Sequence, residues 1–199
     1  MKCQKKIYWL MIVCLTIFSF GANAQNKTVN LHDGWQFRQE GGTKWYAATV
    51  PGEVHTDLLN NKLIPDPYYR DNEKKLQWIE KKNWEYKKSF QLSAETLKKK
   101  HSELVFYVLD TYASVYLNGK LVLKADNMFR QWRVNVKPYL RSGDNQLKVV
   151  FESAQNVVDL LAKKDLPFVI PDNPRAYVRK AQYHFGWDWG PKLTTCGVW

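Results

Sequence analysis

The feature that most constrains the fold of this chain is a hairpin signal near its middle. Two runs that alternate apolar and polar residues, 113–117 and 120–123, are separated only by Asn118-Gly119. Asn-Gly supplies the two residues with positive φ that a type I′ turn requires, and this turn matches the twist of paired antiparallel strands. The sequence therefore predicts an antiparallel hairpin at this point.

Short segments with the same alternation recur along the chain. Asp33-Gly34 predicts a second hairpin, between strands at 28–32 and 35–38. A continuous apolar run at 104–109 predicts a strand that is buried on both faces. Further half-buried strands are predicted at 84–92, 132–136 and 146–152, with a turn cluster at 142–145. About seven short strands favour an all-β, antiparallel jelly-roll sandwich, with a closed barrel as the alternative that pattern alone leaves open.

Helical signals are few. We predict short helices at 53–60 and 153–164, and another at 95–99 with Ser93 as its N-cap. Two irregular loops are expected, one from 65 to about 80 and one that begins at 171, because both are opened by a Pro-rich tetrapeptide or tripeptide.

The first 24 residues are predicted to be an export signal. Three lysines precede an apolar run at 7–20, and Ala22-Asn23-Ala24 is a small-x-small cleavage site. The run is short for a bilayer span, and a buried N-terminal helix is the alternative interpretation. We expect cleavage after Ala24 and an exported product, periplasmic or secreted, with no membrane attachment after cleavage.

The remaining residues, 25–199, are enough for one domain with its own core. The leader carries three of the 30 basic residues and none of the 19 acidic ones, so the remainder has a net charge of +8. The lysines are dispersed between apolar segments, which favours a solvated surface over a nucleic-acid-binding face. Outside the leader only Cys196 remains, and the four histidines are scattered, so we predict no internal disulfide, no metal site and no cofactor.

The most informative motif for function lies near the end of the chain. Trp187 and Trp189 flank Asp188, and glycines bracket the three residues. An aspartate accepts hydrogen bonds from two hydroxyls, and an indole ring offers a flat apolar platform, which together suit a pyranose ring. The alternative is two core tryptophans with a turn-capping aspartate. Arg179 is predicted either to support Asp188 or a sugar oxygen, or to be a surface cation.

The sequence resembles the β-mannosidases of glycoside hydrolase family 2. The segment from Arg179-Lys180 through Gly186-Trp187-Asp188-Trp189-Gly190-Pro191 is the most specific part of the resemblance. Matching features cover nearly the whole chain after the leader, at 31–37, 50–58, 64–73, 78–79, 84–86, 109–111 and 115–119. The resemblance implies a galactose-binding-like jelly-roll sandwich over 25–199.

This resemblance also implies a function. In that family the sandwich packs against a downstream (β/α)8 barrel and extends a loop into its active site. By match to that loop, Asp188 would bind hydroxyls of a terminal mannose, with Trp187 and Trp189 as walls and Arg179 as a supporting residue. The family removes terminal, non-reducing β-mannose with retention, using two barrel glutamates and no metal.

We therefore predict no catalytic residue in this chain. Its own glutamates, including Glu80 and Glu85, are expected in polar, solvated surroundings. Residues 197–199 stop within a pattern that the family continues, so the last strand is expected to be incomplete and the chain inactive alone. Alternatives are a stand-alone carbohydrate-binding module, another family 2 glycosidase such as an endo-β-mannosidase or exo-glucosaminidase, and, from net charge alone, an anion-binding domain.

Overall fold

Three antiparallel sheets organise the computed structural model, which describes residues 27–164 and 174–199. The predicted leader, 1–24, lies outside the described residues. All the strands belong to one unit, 31–199. In chain order they are β1 (Trp35–Gln39), β2 (Tyr46–Ala48), β3 (Gly52–Glu53), β4 (Trp84–Leu92), β5 (Glu103–Phe106), β6 (Leu109–Asp110), β7 (Tyr112–Leu117), β8 (Lys120–Ala125), β9 (Trp132–Asn135), β10 (Gly143–Glu152) and β11 (Gly197–Val198).

The strands are shared unequally among the sheets. The large sheet has six strands in the order β2-β1-β4-β10-β7-β8. A three-stranded sheet has the order β3-β11-β6, and β5 pairs with β9. Mostly antiparallel strands with few short helices confirm the predicted all-β class.

The helices are short. The α-helices are α1 (Val54–Asn60), α2 (Asn72–Lys75), α3 (Ala94–Leu97) and α4 (Ala154–Leu161). Turns of 3-10 helix occur at Ile79–Lys81, Lys137–Tyr139, Pro174–Tyr177 and Gln182–Phe185. In the described ranges no helix has both the length and the apolar character needed to cross a membrane.

The core lies between the large sheet and the two small ones. On β10 the inward positions Leu147, Val149 and Phe151 alternate with more exposed residues, as the twofold period of a strand requires. They join one buried cluster with Leu109 of β6 and Val198 of β11. Burial of these side chains is the main source of stability for such a domain.

The hairpin predicted at Asn118-Gly119 is confirmed. β7 and β8 pair in antiparallel register, and the two turn residues have φ values of 51° and 79°. The Asn118 side chain also donates hydrogen bonds to the carbonyl oxygen of Tyr139 and to Asn145 Oδ1, at 2.8 and 2.9 Å. The turn is therefore tied to the neighbouring segment as well as to its own strands.

The hairpin predicted at Asp33-Gly34 is wrong, because residues 28–32 form no strand. Gly34 does have a positive φ, 74°, and the chain bends at 33–34, but Asp33 does not share the positive φ that a type I′ turn requires. However, β1 is paired on one side with β2 and on the other with β4, which leaves no free edge for a preceding strand. The chain bends where the local signal predicts, but the strands that pair with β1 follow it in the sequence.

The single strand predicted at 104–109 is also wrong. The chain changes sheets within it: Phe106 pairs with Trp132 in the two-stranded sheet, and Leu109 pairs with Val198 in the three-stranded one. Between them Tyr107 is exposed. An unbroken apolar run therefore serves two short strands rather than one long one.

Other boundaries differ by a few residues. β10 already begins at Gly143, inside the predicted turn at 142–145, because residues 143–145 pair with residues 90–92 of β4. The loop expected at 65–80 contains α2 and a 3-10 turn. The Ser93 cap is confirmed, since its Oγ accepts a hydrogen bond from the Thr96 N–H at 3.2 Å.

We expect Phe151→Ala to lower the free energy of unfolding by about 3–5 kcal/mol, the usual cost of truncating a fully buried phenylalanine. Phe151 is 1% exposed, whereas Phe129 is 67% exposed and provides a matched control. Urea unfolding monitored by tryptophan fluorescence measures both. Equal effects of Phe151→Ala and Phe129→Ala would contradict this description of the core.

Candidate functional site

A buried ion pair fastens the tryptophan-bearing segment to the sheet beneath it. Lys180 Nζ donates hydrogen bonds to both carboxylate oxygens of Asp110, at 2.6 and 2.5 Å, and to the carbonyl oxygen of Thr195 at 2.7 Å. Both charged side chains are completely buried. An ammonium group has three donors, so every donor of Lys180 is used. The contact joins β6 to residues 70 positions further along the chain.

Two histidines lie beside this ion pair. His184 Nδ1 is 3.5 Å from Asp110 Oδ2. Burial, helped by the charge of Lys180, lowers the pKa of His184 to about 4, although Asp110 opposes the shift. Burial and the charges of Lys180 and His184 likewise lower the pKa of His55 to about 4. Both imidazoles are therefore neutral near pH 7.

Asp57 is a buried carboxylate whose pKa is also shifted. Burial raises the pKa of Asp57 to about 6, against hydrogen bonds from the Thr49 N–H at 2.8 Å and the Tyr86 hydroxyl at 2.9 Å. A shifted pKa often marks a functional group, but here each carboxylate oxygen already has a partner inside the core. We therefore assign Asp57 to the framework.

The motif itself forms a tight, surface-exposed turn. The chain turns outward at Gly186, whose φ is 93° and where a Cβ would lie 3.3 Å from that of Lys192. Beyond it, the backbones of Trp187 and Gly190 exchange hydrogen bonds of 3.2 and 3.3 Å. Asp188 and Trp189 therefore occupy the tip of a four-residue turn rather than an extended strand.

Both tryptophans of the turn lie at the surface. Trp187 is 50% exposed and Trp189 is 85% exposed, and the Asp188 side chain is also exposed. The alternative of two core tryptophans is therefore not what the structure shows. Indole rings left in water beside a carboxylate are available for a ligand or for another protein surface.

A second segment supports the turn from below. Glu73 Oε1 accepts a hydrogen bond from the Lys192 N–H at 2.6 Å, and Gln77 Nε2 bridges the carbonyl oxygens of the same two residues, at 2.9 and 2.8 Å. The Lys192 ammonium pairs with Glu80 at 2.8 Å. The segment around α2 and the turn are thus held together by contacts across more than 100 positions.

Two glutamates expected in solvent are in fact buried. Glu80 pairs with Lys192, as described above. Glu85 pairs with Arg38 at 2.5 Å and Lys148 at 3.1 Å. Burial opposes ionisation of Glu85, but these two cations outweigh it and hold its pKa below the ordinary value. Both carboxylates face structural partners, which explains their position inside the protein.

The structure distinguishes two arginines. Arg175 Nη1 donates a hydrogen bond to the Gly186 carbonyl oxygen at 3.2 Å, and its guanidinium lies 5.9 Å from the centroid of the Trp187 ring. Arg179 has an exposed side chain, and its carbonyl oxygen accepts a hydrogen bond from the Met128 N–H at 3.0 Å. Arg175, rather than the predicted Arg179, lines the cavity beside the turn.

Two adjoining depressions flank Asp188. The first depression, of about 380 Å³, is lined by Glu73, Arg175, Gly186, Trp187, Asp188, Gly190 and Lys192. The second depression, of about 310 Å³, is lined by Pro67, Tyr68, Arg70, Glu73, Asp188, Trp189, Gly190 and Pro191. Each combines an exposed aromatic ring with charged hydrogen-bonding groups, a combination suited to a polyhydroxylated ring.

Metal chemistry receives no support from the described residues. Within 27–164 and 174–199, no three His, Cys, Asp or Glu side chains are grouped so as to hold a metal ion. The groups that line the depressions are hydrogen-bond donors, acceptors and aromatic faces. Sequence reasoning missed Arg175 and Lys192 as site residues, since neither lies in the tryptophan–aspartate motif.

Residues 35–199 match the glycosyl hydrolase 2 galactose-binding domain-like family. Among curated proteins, "Beta-mannosidase B" of Thermothelomyces thermophilus is 37% identical in an alignment of 183 positions that covers 88% of this chain and 21% of that protein. "Beta-mannosidase" of Bos taurus is 34% identical in an alignment of 202 positions, gaps included, that covers 96% of this chain and 23% of that protein. The chain thus spans about a fifth of the length of these relatives.

Solved structures give a consistent result. The β-D-mannosidase from Dictyoglomus thermophilum has a TM-score of 0.84 and 45% identity, covering 87% of this chain and 22% of that one. The exo-chitosanase from Amycolatopsis orientalis has a TM-score of 0.56 at 16% identity, covering 63% of this chain and 16% of that one, and so shows the fold alone.

We expect Lys180→Met to lower the free energy of unfolding by about 3–5 kcal/mol, because it leaves the Asp110 carboxylate buried without its cation. Adding Asp110→Asn in the same protein should recover part of this loss. Denaturant titration of the two variants provides the measurement, with the exposed Lys124→Met as the control. A loss no larger than that of Lys124→Met would refute the buried pair.

The two neutral histidines predict acid sensitivity. Free imidazoles titrate near pH 6.5 and these two near 4, so between those values the unfolded state binds more protons. The free energy of unfolding therefore falls as the pH decreases from about 6.5 to 4, by at most about 1.4 kcal/mol per pH unit for each histidine. Asp57, whose folded pKa is raised, offsets part of this fall.

Denaturant unfolding between pH 7 and pH 4.5 tests this prediction. The double variant with His55→Gln and His184→Gln should show a flatter dependence of unfolding free energy on pH than the unsubstituted protein, whatever its absolute stability. An unchanged slope would show that these imidazoles do not titrate with lowered pKa values.

Proposed function

This chain belongs to the glycosyl hydrolase 2 galactose-binding domain-like family, and we propose that it is the substrate-contacting amino-terminal domain of an exo-acting, retaining β-mannosidase. The enzyme would remove terminal non-reducing β-D-mannose from oligosaccharides. Support comes from the curated β-mannosidases that match most of this chain, and from the 45% identity to a solved β-D-mannosidase.

One structural observation carries the proposal. The exposed turn at Trp187–Gly190 stands on a framework closed by the buried Lys180–Asp110 contact, so its aromatic rings and carboxylate are displayed in a fixed place. We assign Asp188 to the hydroxyls of the terminal mannose, and Trp187 and Trp189 to its apolar faces. Arg175 supports the turn through Gly186. Arg179 remains a candidate only for a supporting role at the periphery.

Catalysis is assigned to a different part of the polypeptide. Retention needs two carboxyl groups about 5–5.5 Å apart, one as nucleophile and one as acid/base. Of the acids that line the first depression, Glu73 is engaged by the Lys192 N–H and Asp188 belongs to the binding turn. We therefore propose that both catalytic glutamates lie in a downstream (β/α)8 barrel, and that this chain alone is inactive.

We propose mannose rather than another sugar because of the proteins to which this chain is similar in sequence. Curated β-mannosidases match this chain at 34–40% identity, whereas the exo-chitosanase shares only the fold. A stand-alone carbohydrate-binding module would use the same exposed turn, but the curated matches are to a fifth of much longer β-mannosidases.

The cationic start and apolar run before Ala24 support export to the periplasm or the medium.

Replacement of Asp188 tests the proposal. In the complete product of the reading frame that encodes this chain, Asp188→Ala should lower kcat/KM for an aryl β-mannoside by about 100-fold or more, because two charge-assisted hydrogen bonds are lost. Asp188→Asn keeps one acceptor and should lose less. Steady-state hydrolysis of the chromogenic substrate measures both effects.

Asp33→Ala is the matched control, since Asp33 is also an exposed aspartate in a turn and lines neither depression. Hydrolysis by the unsubstituted protein that survives Asp188→Ala undiminished would remove Asp188 from the site. Absence of hydrolysis in the unsubstituted protein, with mannose still bound, would favour the binding module.

A further inference from the structure

The second depression extends beyond the residues assigned above to the terminal sugar: it shares Asp188 and Trp189 with them, but Tyr68 and Arg70 lie outside that set. Tyr68 and Trp189 form two of its walls and are 75% and 85% exposed. Its volume, about 310 Å³, lies at the lower end of the range of about 300–1,000 Å³ for ligand-binding clefts. Large aromatic side chains this exposed, beside charged groups, mark a surface that is covered in function.

The loop that carries Tyr68 is preformed. Asp66 Oδ1 accepts a hydrogen bond from the Tyr68 N–H at 2.9 Å, and the Asp66 carbonyl oxygen accepts from the Tyr69 N–H at 3.2 Å and from Asn72 Nδ2 at 2.9 Å. The Arg70 guanidinium packs 5.1 Å from the centroid of the Tyr69 ring. A platform held in this way loses little conformational entropy when a ligand binds.

The two depressions adjoin each other. Asp188, Glu73 and Gly190 line both of them, so Asp188 stands at their boundary. A ligand that fills the first depression and extends past Asp188 therefore enters the second. Since a linked sugar extends in this way from a terminal one, an oligosaccharide fits this arrangement better than a single sugar does.

The linings of the depressions differ in a way that suits two consecutive sugars. The first has two cations, Arg175 and Lys192, around Trp187, which suits recognition of many hydroxyls. The second has two exposed aromatic rings with Arg70 as its cation. Aromatic faces hold a pyranose through its apolar C–H face and tolerate variation in its hydroxyls.

We propose that the second depression binds the sugar that adjoins the terminal mannose, with Tyr68 as its platform and Trp189 as the wall that the two sugars share. This inference rests on the proposed function. It makes this domain a determinant of the leaving group, so that β-linked mannose oligosaccharides are preferred over mannosides with a small aglycone.

Tyr68 provides the test, because it lines the second depression and not the first. In the complete product of the reading frame, Tyr68→Ala should lower kcat/KM for β-1,4-mannotriose about fivefold, the order expected for loss of one aromatic contact. The inhibition constant of free mannose, which occupies the terminal-sugar position and does not extend to Tyr68, should stay within twofold. Tyr68→Phe keeps the ring and should retain activity towards mannotriose.

Tyr107→Ala is the matched control, since Tyr107 is 69% exposed and lines neither depression. Unchanged hydrolysis of mannotriose by Tyr68→Ala would overturn the inference and leave the proposed function standing, provided that activity still depends on Asp188. Equal weakening of mannotriose hydrolysis and mannose inhibition would also overturn it, because Tyr68 would then support the first depression or the rest of the polypeptide. An unsubstituted protein with no activity on β-mannosides would defeat the proposed function, and this inference with it.

Discussion

The contact between Lys180 and Asp110 is the constraint on which the rest of the site depends. Removing two charges from water costs several kcal/mol per ion, and that cost is offset only where each group has a full set of partners. Lys180 meets this condition with three hydrogen bonds, two to Asp110 and one to the Thr195 carbonyl oxygen. Asp110 belongs to β6, which pairs with β11. One contact therefore fixes both ends of the segment from Lys180 to Thr195, and the turn lies between them.

Sequence patterns predicted the parts of the fold that local chemistry decides. The turn at Asn118-Gly119 needs positive φ at two successive residues, and Asn followed by Gly is the pair of residue types that adopts it most readily. The class of fold followed from many short alternating runs. The single strand predicted at 104–109 is wrong because the chain changes sheets within this run. The change follows from pairing with Trp132 in one sheet and with Val198 in another. Pairing partners that distant in sequence leave no trace in the run itself.

In the candidate site, too, the sequence predicted the contiguous residues but not the contacts between distant ones. Trp187, Asp188 and Trp189 are contiguous, so their chemistry could be recognised in the sequence, and the structure places them together on an exposed turn. Arg175 was missed because its role depends on a hydrogen bond to Gly186, and Glu73 because its partner, Lys192, lies 119 positions away. Lys180 was part of the recognised motif, but its burial opposite Asp110 is a property of the assembled sheets.

The exposure of the turn has a consequence for how such a domain diversifies. Asp188 and Trp189 project from a framework whose core they do not fill, so replacing them removes few packing contacts and has little effect on the free energy of folding. Lys180 and Asp110 have no such freedom, since either one alone is a buried unpaired charge. If the turn contacts the sugar as proposed, its tip can therefore change while the fold is retained, whereas loss of either member of the anchor beneath it destabilises the domain. The fold thus separates the proposed sugar-contacting residues from the residues that hold the turn in place.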